Sequence, residues 1–556
     1  MPNLIVLLGV YPGFFVYDAQ DELMEVVTRT FNTHHPLLHV LAMGGTITGI
    51  HKLTDSWNLG IFIYLALQAL LITAIYAYIL KRLAGHAAAG SLTAVSEDRD
   101  VAHAAADQNT VVSEDRAAGL SRSAVIAFTL WYALFPTVVM YTLCSTKDGL
   151  FSAFTTLFVA ELALTLRGAA GDTAAEHSTT AADTDSSERS LDPTEQRTGL
   201  RSRLVLVFSA AAMMLLRNNA VYALAVFAVL LAIGAAAARA SAHKKQTNFK
   251  QTDNKQTDNK QTDNLLSDSI QSASKQTDIK QTTCKQADLK QAVSIILCIF
   301  AAFIIYFILN KALITALHAS DAEHQESITV AIQAIGRAWN KSPESFGEED
   351  AAELKNWFTD EGLAGYEDRN SDFIKSTFNN ERYETNSRDF WDLWFRIGKR
   401  CPEVYFESWV LTSSGMWNPF GVINTYEGHQ VFTFTYTESS YFGYETELPG
   451  VRTPLIPAID GFYRWLSLDD DIQRIPVLSL IFAPAFWFWV YAAAGVYLLC
   501  RKRVRALIPL FPLYLLWITY LLGPASLVRY ALPFFTALPV LAYLLKSALP
   551  PRGPRS

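Results

Sequence analysis

The sequence predicts an all-α polytopic membrane protein with about ten transmembrane helices and an external, mostly helical domain. The first observation is the apolar content, since hydrophobic residues make up 51% of the 556 residues and the mean hydropathy is +0.16. The second is that these residues gather in runs of about 20, the length of a helix that crosses a bilayer. The third is that Lys and Arg cluster at alternate ends of successive runs, which is typical of a multi-pass protein.

The runs divide the chain into three parts. Residues 1–317 form the predicted membrane domain, residues 318–475 an external domain, and residues 476–546 the last transmembrane helices. The opening run, Pro2–Val16, is short for a span. Counting it, the charge pattern places both termini inside. The clear runs are Trp57–Leu80, Ser123–Leu143, Leu150–Leu166, Arg203–Leu216, Ala220–Ala238, Ala292–Leu317, Pro476–Cys500, Ala506–Leu522 and Leu527–Leu545.

Three long cytoplasmic connections, residues 85–120, 168–199 and 240–291, are polar or rich in small side chains. The third contains the pentapeptide KQTDN in tandem between Lys250 and Asn264. Such segments bury too little apolar area to offset chain entropy, so we predict disordered linkers. A segment that docks a partner is the alternative.

Composition narrows the classes of function. The formal net charge is −7 and there is no basic tract, so the sequence does not predict a nucleic-acid partner. The five cysteines do not have the spacing of a disulfide framework. Membrane lipids are the first predicted partners, and any chemistry must come from polar groups at the ends of the spans.

Every short external turn carries a charged or amide group. The first external loop, residues 17–36, contains three acids and two histidines: Asp18, Asp21, Glu22, His34 and His35. The other external motifs are Lys147-Asp148, Arg217-Asn218-Asn219 and Arg529-Tyr530. Charged groups at membrane depth usually face a polar cavity or one another. We therefore predict that the four motifs share one external cavity.

Each motif also has an ordinary structural interpretation. Asp18 is equally typical of a solvated loop acid or a helix cap. Lys147 and Asp148 fit an ion pair on a tight turn, and Arg217 and Arg529 fit side chains that extend to lipid headgroups. Convergence of all four motifs on one side favours a functional site.

The external domain opens with an amphipathic pattern, Glu326–Trp339, which predicts a helix. Gln333 and Arg337 are four residues apart and share one face of it. We predict that this face points into the external cavity and that the domain covers the cavity mouth. The many tryptophans and tyrosines that follow fit either a sugar-binding surface or the core of a small domain.

Several blocks of the sequence resemble a known superfamily. They are YPGFFVYDAQ (Tyr11–Gln20), HHPLLHVL (His34–Leu41), TKDGLF (Thr146–Phe151), LLRNNAVYAL (Leu215–Leu224), IQAIGR (Ile332–Arg337) and VRYALP (Val528–Pro533). Together they look like blocks of the GT-C-type membrane glycosyltransferases, which use polyprenyl-phosphate donors, and most like an uncharacterised bacterial branch of that superfamily. Two features depart from the pattern: the opening run is short, and Ala334 stands where a second Gln is expected.

The resemblance implies a multi-pass enzyme of the bacterial cell membrane with its active site on the external face. It would move a sugar from a lipid-linked donor to a cell-envelope glycan or protein acceptor. GT-C enzymes carry a catalytic acid in the first external loop, and the matching position is Asp18, which would act as general base. The predicted substrate-binding residues are His35, Lys147, Asp148, Arg217, Gln333, Arg337, Arg529 and Tyr530.

Two questions stay open at this stage. A divalent ion, Mg²⁺ or Mn²⁺, is compatible with carboxylates at Asp18, Asp21 and Asp148, although the sequence does not require one. The alternative functions are a transporter or flippase of a lipid-linked or anionic solute, and a non-catalytic GT-C-like binding protein. An enzyme needs the acid at position 18, whereas a carrier need not have it.

Overall fold

The structure, a computed structural model, describes residues 2–96, 119–179, 193–257, 265–321, 323–420, 444–468 and 475–549. Within these ranges the chain is almost entirely helical or irregular, and strand-like pairing is limited to the isolated bridges Phe14–Cys144, Asn32–Ser320 and Asn370–Ala525. The predicted all-α class is therefore confirmed for the part of the chain that is described.

The first half of the chain contains both short and long helices. In order they are α1 (Pro2–Gly9), α2 (Tyr17–Thr28), α3 (Leu37–Thr54), α4 (Trp57–Ser96), α5 (Arg122–Leu134), α6 (Pro136–Thr142), α7 (Asp148–Thr179), α8 (Pro193–Leu216), α9 (Asn219–Thr257) and α10 (Leu265–Leu317). Among the described residues, five segments are long and apolar enough to cross a membrane: Trp57–Gly85, Asp148–Arg167, Gly199–Leu216, Asn219–Ser241 and Leu289–Leu317.

The C-terminal part adds shorter helices that pack against the first half. They are α18 (Pro476–Phe482), α19 (Pro484–Cys500), α20 (Val504–Leu507), α21 (Phe511–Tyr520), α22 (Val528–Thr536) and α23 (Leu538–Ala548), numbered after the external helices given below. Three pairs, α5 with α6, α18 with α19 and α22 with α23, bend by 60°, 76° and 43°. Counting each bent pair as one span gives up to eight spans in the part of the chain that the structure describes.

Proline explains why several predicted runs are broken. Pro136 and Pro484 each occupy the first position of the second helix in a bent pair. Proline lacks a backbone N–H and clashes with the preceding turn, so it starts a helix well and continues one poorly. The opening run is helical only over the eight residues of α1. A run of apolar letters alone therefore overstates the length of continuous helix.

Parts of the predicted linkers are helical where the structure describes them. Helices α4, α7 and α9 extend beyond their apolar segments to Ser96, Thr179 and Thr257, and α10 begins at Leu265. Extending an existing helix costs less than nucleating one, and Ala, Gln and Lys favour helix. Residues 97–118, 180–192 and 258–264 of the predicted linkers lie outside the described residues.

Helix α17 (Pro457–Leu468) packs against the core of the helix bundle through Tyr463 and Leu466. The other external helices have a core of their own. They are α11 (Thr329–Lys341), α12 (Glu348–Leu354), α13 (Asp360–Ala364), α14 (Asp372–Ser376), α15 (Asn380–Arg400) and α16 (Pro402–Trp417). Trp357, Phe390 and Ile335 are buried at the centre of this core, and Trp391 and Trp394 pack against it. These aromatic side chains therefore stabilise a small helical unit.

Two contacts seat the external helices on the membrane part. Trp409 of α16 donates its indole N–H to Leu521 O (2.9 Å), and Ser526 Oγ donates to Thr412 O (2.8 Å). The loop that receives them, residues 521–527, leads directly into α22. On the other side, Glu447 N–H donates to Phe15 O at 2.9 Å. The external segment thus touches the loops that flank both Asp18 and Arg529.

Candidate functional site

Helix α2 places two acids on one face. Asp18 lies in its first turn and Glu22 four residues later, which is one helical turn. An acid in the first turn is favoured by the partial positive charge of the helix N-terminus. Val16, the residue before the helix, has an apolar side chain and provides no side-chain cap.

The first loop is joined to the turn that precedes α7. Phe14 N–H donates to Leu143 O (3.1 Å), and Ser145 N–H donates to Phe14 O (2.9 Å). Ser145 Oγ also donates to Phe14 O (3.1 Å). These bonds bring Lys147 and Asp148, at the start of α7, beside α2.

A glycine is needed directly after Asp148. A Cβ atom added at Gly149 would overlap the carbonyl oxygen of Tyr141, which belongs to the backbone and cannot turn away. The sequence TKDGLF therefore requires Gly149 for the close turn into α7, and this turn fixes where the Asp148 carboxylate lies.

Two arginines from different helices meet the acids. Arg529 Nη1 of α22 donates to Asp18 Oδ2 at 2.7 Å, and its Nε lies 4.0 Å from Asp148 Oδ2. Arg217, which follows α8, places Nη2 2.7 Å from Asp148 Oδ1. Asp148 is buried, whereas Asp18, Arg217 and Arg529 are each partly exposed. The cluster thus combines one buried carboxylate with three charged side chains that keep some contact with solvent.

Tyr530 lies between the two guanidinium groups. The Cζ atoms of Arg217 and Arg529 lie 4.7 Å and 5.4 Å from the centre of its ring. Tyr520 stacks near the same ring at 5.8 Å between centroids. Aromatic faces attract cations, so Tyr530 holds both arginines in place without neutralising their charge.

A second group forms around the buried Glu22. Lys147 Nζ and His35 Nδ1 each lie 3.6 Å from Glu22 Oε1, and His39 Nδ1 makes a short hydrogen bond with Glu22 Oε2. Lys147 Nζ also lies 3.1 Å from His35 Nδ1. His35, His39 and Glu22 are buried, so the positive end of Lys147 is the part of this group nearest to solvent.

A chain of buried hydrogen bonds extends from Glu22 into the bundle. His39 Nε2 lies 2.9 Å from the Tyr64 hydroxyl, which donates to Gln68 Oε1 at 2.9 Å. The Gln68 amide in turn donates to the carbonyl oxygens of Thr142 and Cys144. The chain therefore ties α2, α3 and α4 to the turn that carries Lys147 and Asp148.

The charges of the cluster set its protonation states. Burial opposes ionisation of Asp18, but the positive charges of Arg529 and Lys147 hold its pKa well below the usual range. Burial also opposes ionisation of Glu22, whose pKa is nevertheless lowered by His39 and Lys147. Burial and the adjacent ammonium of Lys147 lower the pKa of His35 to about 3. His35 is therefore neutral, and its Nδ1 accepts from Lys147 while Nε2 carries the proton.

Two further acids on α2 behave in the opposite way. Burial and the negative charges of Asp18, Glu22 and Glu447 raise the pKa of Asp21 to about 6. Burial is also the main cause that raises the pKa of Glu25 to about 7. α2 thus carries two acids that are firmly ionised and two that titrate near neutral pH.

The structure brings together seven of the sequence-predicted site residues: Asp18, His35, Lys147, Asp148, Arg217, Arg529 and Tyr530. Gln333 and Arg337 make their polar contacts within the external helices. Gln333 Nε2 donates to Glu367 O (2.6 Å), and Arg337 pairs with Asp368 and Glu407. Gln333 also lines a small cavity with Trp409 and Leu521, beside the loop that leads into α22. That these two side chains contribute to the site of Asp18 stays a prediction.

Sequence reasoning gave no role to His39, Tyr64 or Gln68. His39 was visible as the third histidine of HHPLLHVL, in the first turn of the helix that follows His35 and Pro36. Tyr64 and Gln68 are likewise four residues apart in α4. Polar side chains four residues apart inside an apolar run could have indicated this buried hydrogen-bond chain.

The residues do not fit a Mg²⁺ or Mn²⁺ site. The described residues include no group of three or more His, Cys, Asp or Glu side chains arranged to hold a metal ion. Asp18 and Asp148 are instead directed at guanidinium groups, which already supply the positive charge that a metal ion would bring.

Comparison with known proteins identifies a family. A family of unknown function (DUF6020) matches residues 25–240 and 287–548. The chain belongs to this family. The match includes His35, Lys147, Asp148, Arg217 and Arg529, begins after Asp18 and Glu22, and omits residues 241–286 with the KQTDN repeats. No curated protein and no solved structure matches the chain.

Proposed function

We propose that this protein is a GT-C-type membrane glycosyltransferase that moves a sugar from a polyprenyl-phosphate donor to an acceptor on the outer face of a bacterial cell membrane. The observation that supports the proposal is the cluster of Asp18, Arg529, Asp148 and Arg217 at one edge of the helix bundle. It combines a carboxylate with guanidinium groups, which are the two kinds of group that transfer from a lipid phosphate requires.

The donor phosphate would bind at the arginines. A guanidinium group gives forked, charge-assisted contacts to phosphate oxygens, and Arg217 and Arg529 are both partly exposed. Lys147 adds a third cation beside them. As the bond from sugar to phosphate breaks, negative charge grows on the departing phosphate, and these cations would stabilise it.

Asp18 would take the proton of the acceptor hydroxyl. It is ionised and partly exposed, so an acceptor can approach it. His35 presents its Nε2 proton as a hydrogen-bond donor for the acceptor. The acceptor itself would be a cell-envelope glycan or protein, and the spans would follow the GT-C arrangement of about ten helices.

The test is sugar transfer in proteoliposomes with a panel of polyprenyl-phosphate sugars, alongside direct binding of each donor. The wild-type protein should transfer sugar from at least one donor. Asp18→Asn should lower the rate by about 10²–10⁴-fold, the usual cost of losing a general base, without loss of folding. Asp392→Asn, an acid in an exposed ion pair of α15, is the matched control and should transfer normally.

Each other outcome points to a different function. Binding of donors without turnover of any of them would favour a non-catalytic binding protein. Movement of the donor across the bilayer without loss of its sugar would favour a flippase or transporter. Transfer by Asp18→Asn at the wild-type rate would show that Asp18 is not the base.

A further inference from the structure

Every cation of the site already has a carboxylate of the chain as its partner. Arg529 pairs with Asp18, Arg217 with Asp148, and Lys147 lies near Glu22. The three cations and three carboxylates balance in charge. An incoming phosphate therefore has to compete with at least one of these carboxylates before it can contact a guanidinium group closely.

The three carboxylates differ in how easily they can leave. Asp148 and Glu22 have side chains that are 1% and 0% exposed, so displacing either would leave a buried, unpaired charge. The Asp18 side chain is 15% exposed and lies in the first turn of α2. Water can solvate it once it leaves Arg529. Asp18 is therefore the carboxylate whose displacement from its cation costs the least free energy.

We propose that Asp18 is a built-in competitor for an anion-binding site on Arg529, and that a phosphoryl group which binds there displaces the Asp18 carboxylate. The ligand class is a phosphate or diphosphate oxyanion, either free in solution or at the head of a membrane lipid. The site as such does not depend on sugar transfer. Its link to catalysis rests on the proposed function.

Displacement would change the chemistry of Asp18. Arg529 is the first of the cations that hold the pKa of Asp18 low, and a carboxylate with such a pKa is a poor proton acceptor. Once a phosphate occupies Arg529, the carboxylate loses this partner and gains a negative neighbour, and both effects raise its pKa. In the proposed enzyme the base would thus gain strength only when a donor is bound, which would limit reaction with water in the empty site.

The test measures binding of inorganic pyrophosphate to the purified full chain in detergent at pH 8 by calorimetry. Asp18→Asn removes the competing charge and should bind pyrophosphate on the order of tenfold more tightly than the wild type. Asp21→Asn removes a charge from the same helix, and its affinity should change by less than about twofold because Asp21 has no arginine partner in the cluster. Adding Arg529→Gln to Asp18→Asn should abolish the gain.

Equal or weaker binding by Asp18→Asn of both pyrophosphate and the lipid phosphate described next would overturn the proposal. An equal gain in Asp21→Asn would also overturn it, since that result would indicate a general field effect. If Asp18→Asn does not elute as a single species, Asp18→Ser is measured in its place. A second arm uses a polyprenyl phosphate in lipid nanodiscs. A gain in that arm alone would identify a lipid headgroup site, and a gain with pyrophosphate alone a site for a soluble anion.

The outcomes separate this proposal from the proposed function. If Asp18→Asn binds the anion more tightly but the protein transfers no sugar, the proposal that Asp18 competes with an anion stands and the proposed transferase function is rejected. If sugar transfer needs Asp18 but Asp18→Asn binds the anion with unchanged affinity, the proposed transferase function stands and the proposal that Asp18 competes with an anion is rejected.

Discussion

Arg217 and Asp148 join the ends of α8 and α7, with Nη2 and Oδ1 2.7 Å apart. The arginine is partly exposed, whereas the aspartate is buried, so the positively charged member of the pair is the one in contact with solvent. The pair therefore both joins two helices and presents a cation.

The first prediction concerns this pair. Arg217→Ala leaves Asp148 buried without its closest partner, which should lower the free energy of unfolding by about 3 kcal/mol. It should also weaken binding of a lipid-phosphate donor, since the cation is lost. Thermal unfolding in detergent and donor binding are the measurements. Asn218→Ala changes an exposed neighbour and is the control; equal effects of both variants would contradict a specific role for the pair.

Replacing Arg529 by lysine tests the need for a forked contact. Lysine keeps the charge but offers a single compact donor group, so it cannot contact two phosphate oxygens in the planar geometry of a guanidinium group. Arg529→Lys should raise the KM for the donor by about tenfold and change kcat less. Steady-state transfer kinetics would show this. An unchanged KM would place the phosphate elsewhere.

A pH dependence follows from Glu25. Its folded-state pKa is raised to about 7, above that of an ordinary glutamate, so the folded chain holds a proton that the unfolded chain releases between about pH 4.5 and 7. This group's contribution to stability is therefore full at low pH and is lost as the pH rises through 7.

Glu25→Gln removes the ionisation and keeps an oxygen for the N–H of Asn32. The variant should gain thermal stability relative to the wild type as the pH increases from 4 to 8. Melting temperatures of both proteins across this range are the measurement. A stability difference that stays constant with pH would contradict the raised pKa.

The hydrogen-bond chain from Glu22 gives a graded prediction. His39→Leu removes the closest partner of a fully buried carboxylate and should destabilise the protein strongly, by about 3 kcal/mol. Tyr64→Phe removes one hydroxyl from the chain and should cost only about 1 kcal/mol. Thermal unfolding would rank them. If Tyr64→Phe lowered the free energy of unfolding as much as His39→Leu does, this graded prediction would be wrong.

The KQTDN repeats should be dispensable. Residues 250–264 lie in the stretch that the family match omits, and part of that stretch extends α9. Deleting them should leave the amount of membrane-inserted protein and its thermal stability within error of the wild type. A marked loss of inserted protein would show that the repeats contribute to folding.

Much of the site was predictable from charge and position. Asp18, Lys147, Arg217 and Arg529 come from sequence positions far apart, yet each follows or precedes an apolar run on the same predicted side. A charged side chain at the end of a membrane span is costly unless it is paired. We therefore expected these four side chains to lie close together. The pattern did not give the pairs, because any of the acids could have met any of the cations.

Other features depend on packing that periodicity does not encode. Gln333 and Arg337 share a helix face as predicted, but their spacing did not show that Glu367, Asp368 and Glu407 would be their hydrogen-bond and ion-pair partners. Likewise, an apolar run does not reveal that Pro136 or Pro484 divides it into two helices at a sharp angle. Spacing assigns residues to a face, whereas the identity of the opposite surface comes only from the tertiary fold.

Asp18 and Arg529 are separated by 511 positions in the sequence, so the ion pair joins helices that are synthesised at very different times. During synthesis the Asp18 carboxylate can meet the ammonium group of Lys147 long before its guanidinium partner is made. The bond to Arg529 forms only after α22 has left the ribosome, so its formation reports that α22 has docked against α2.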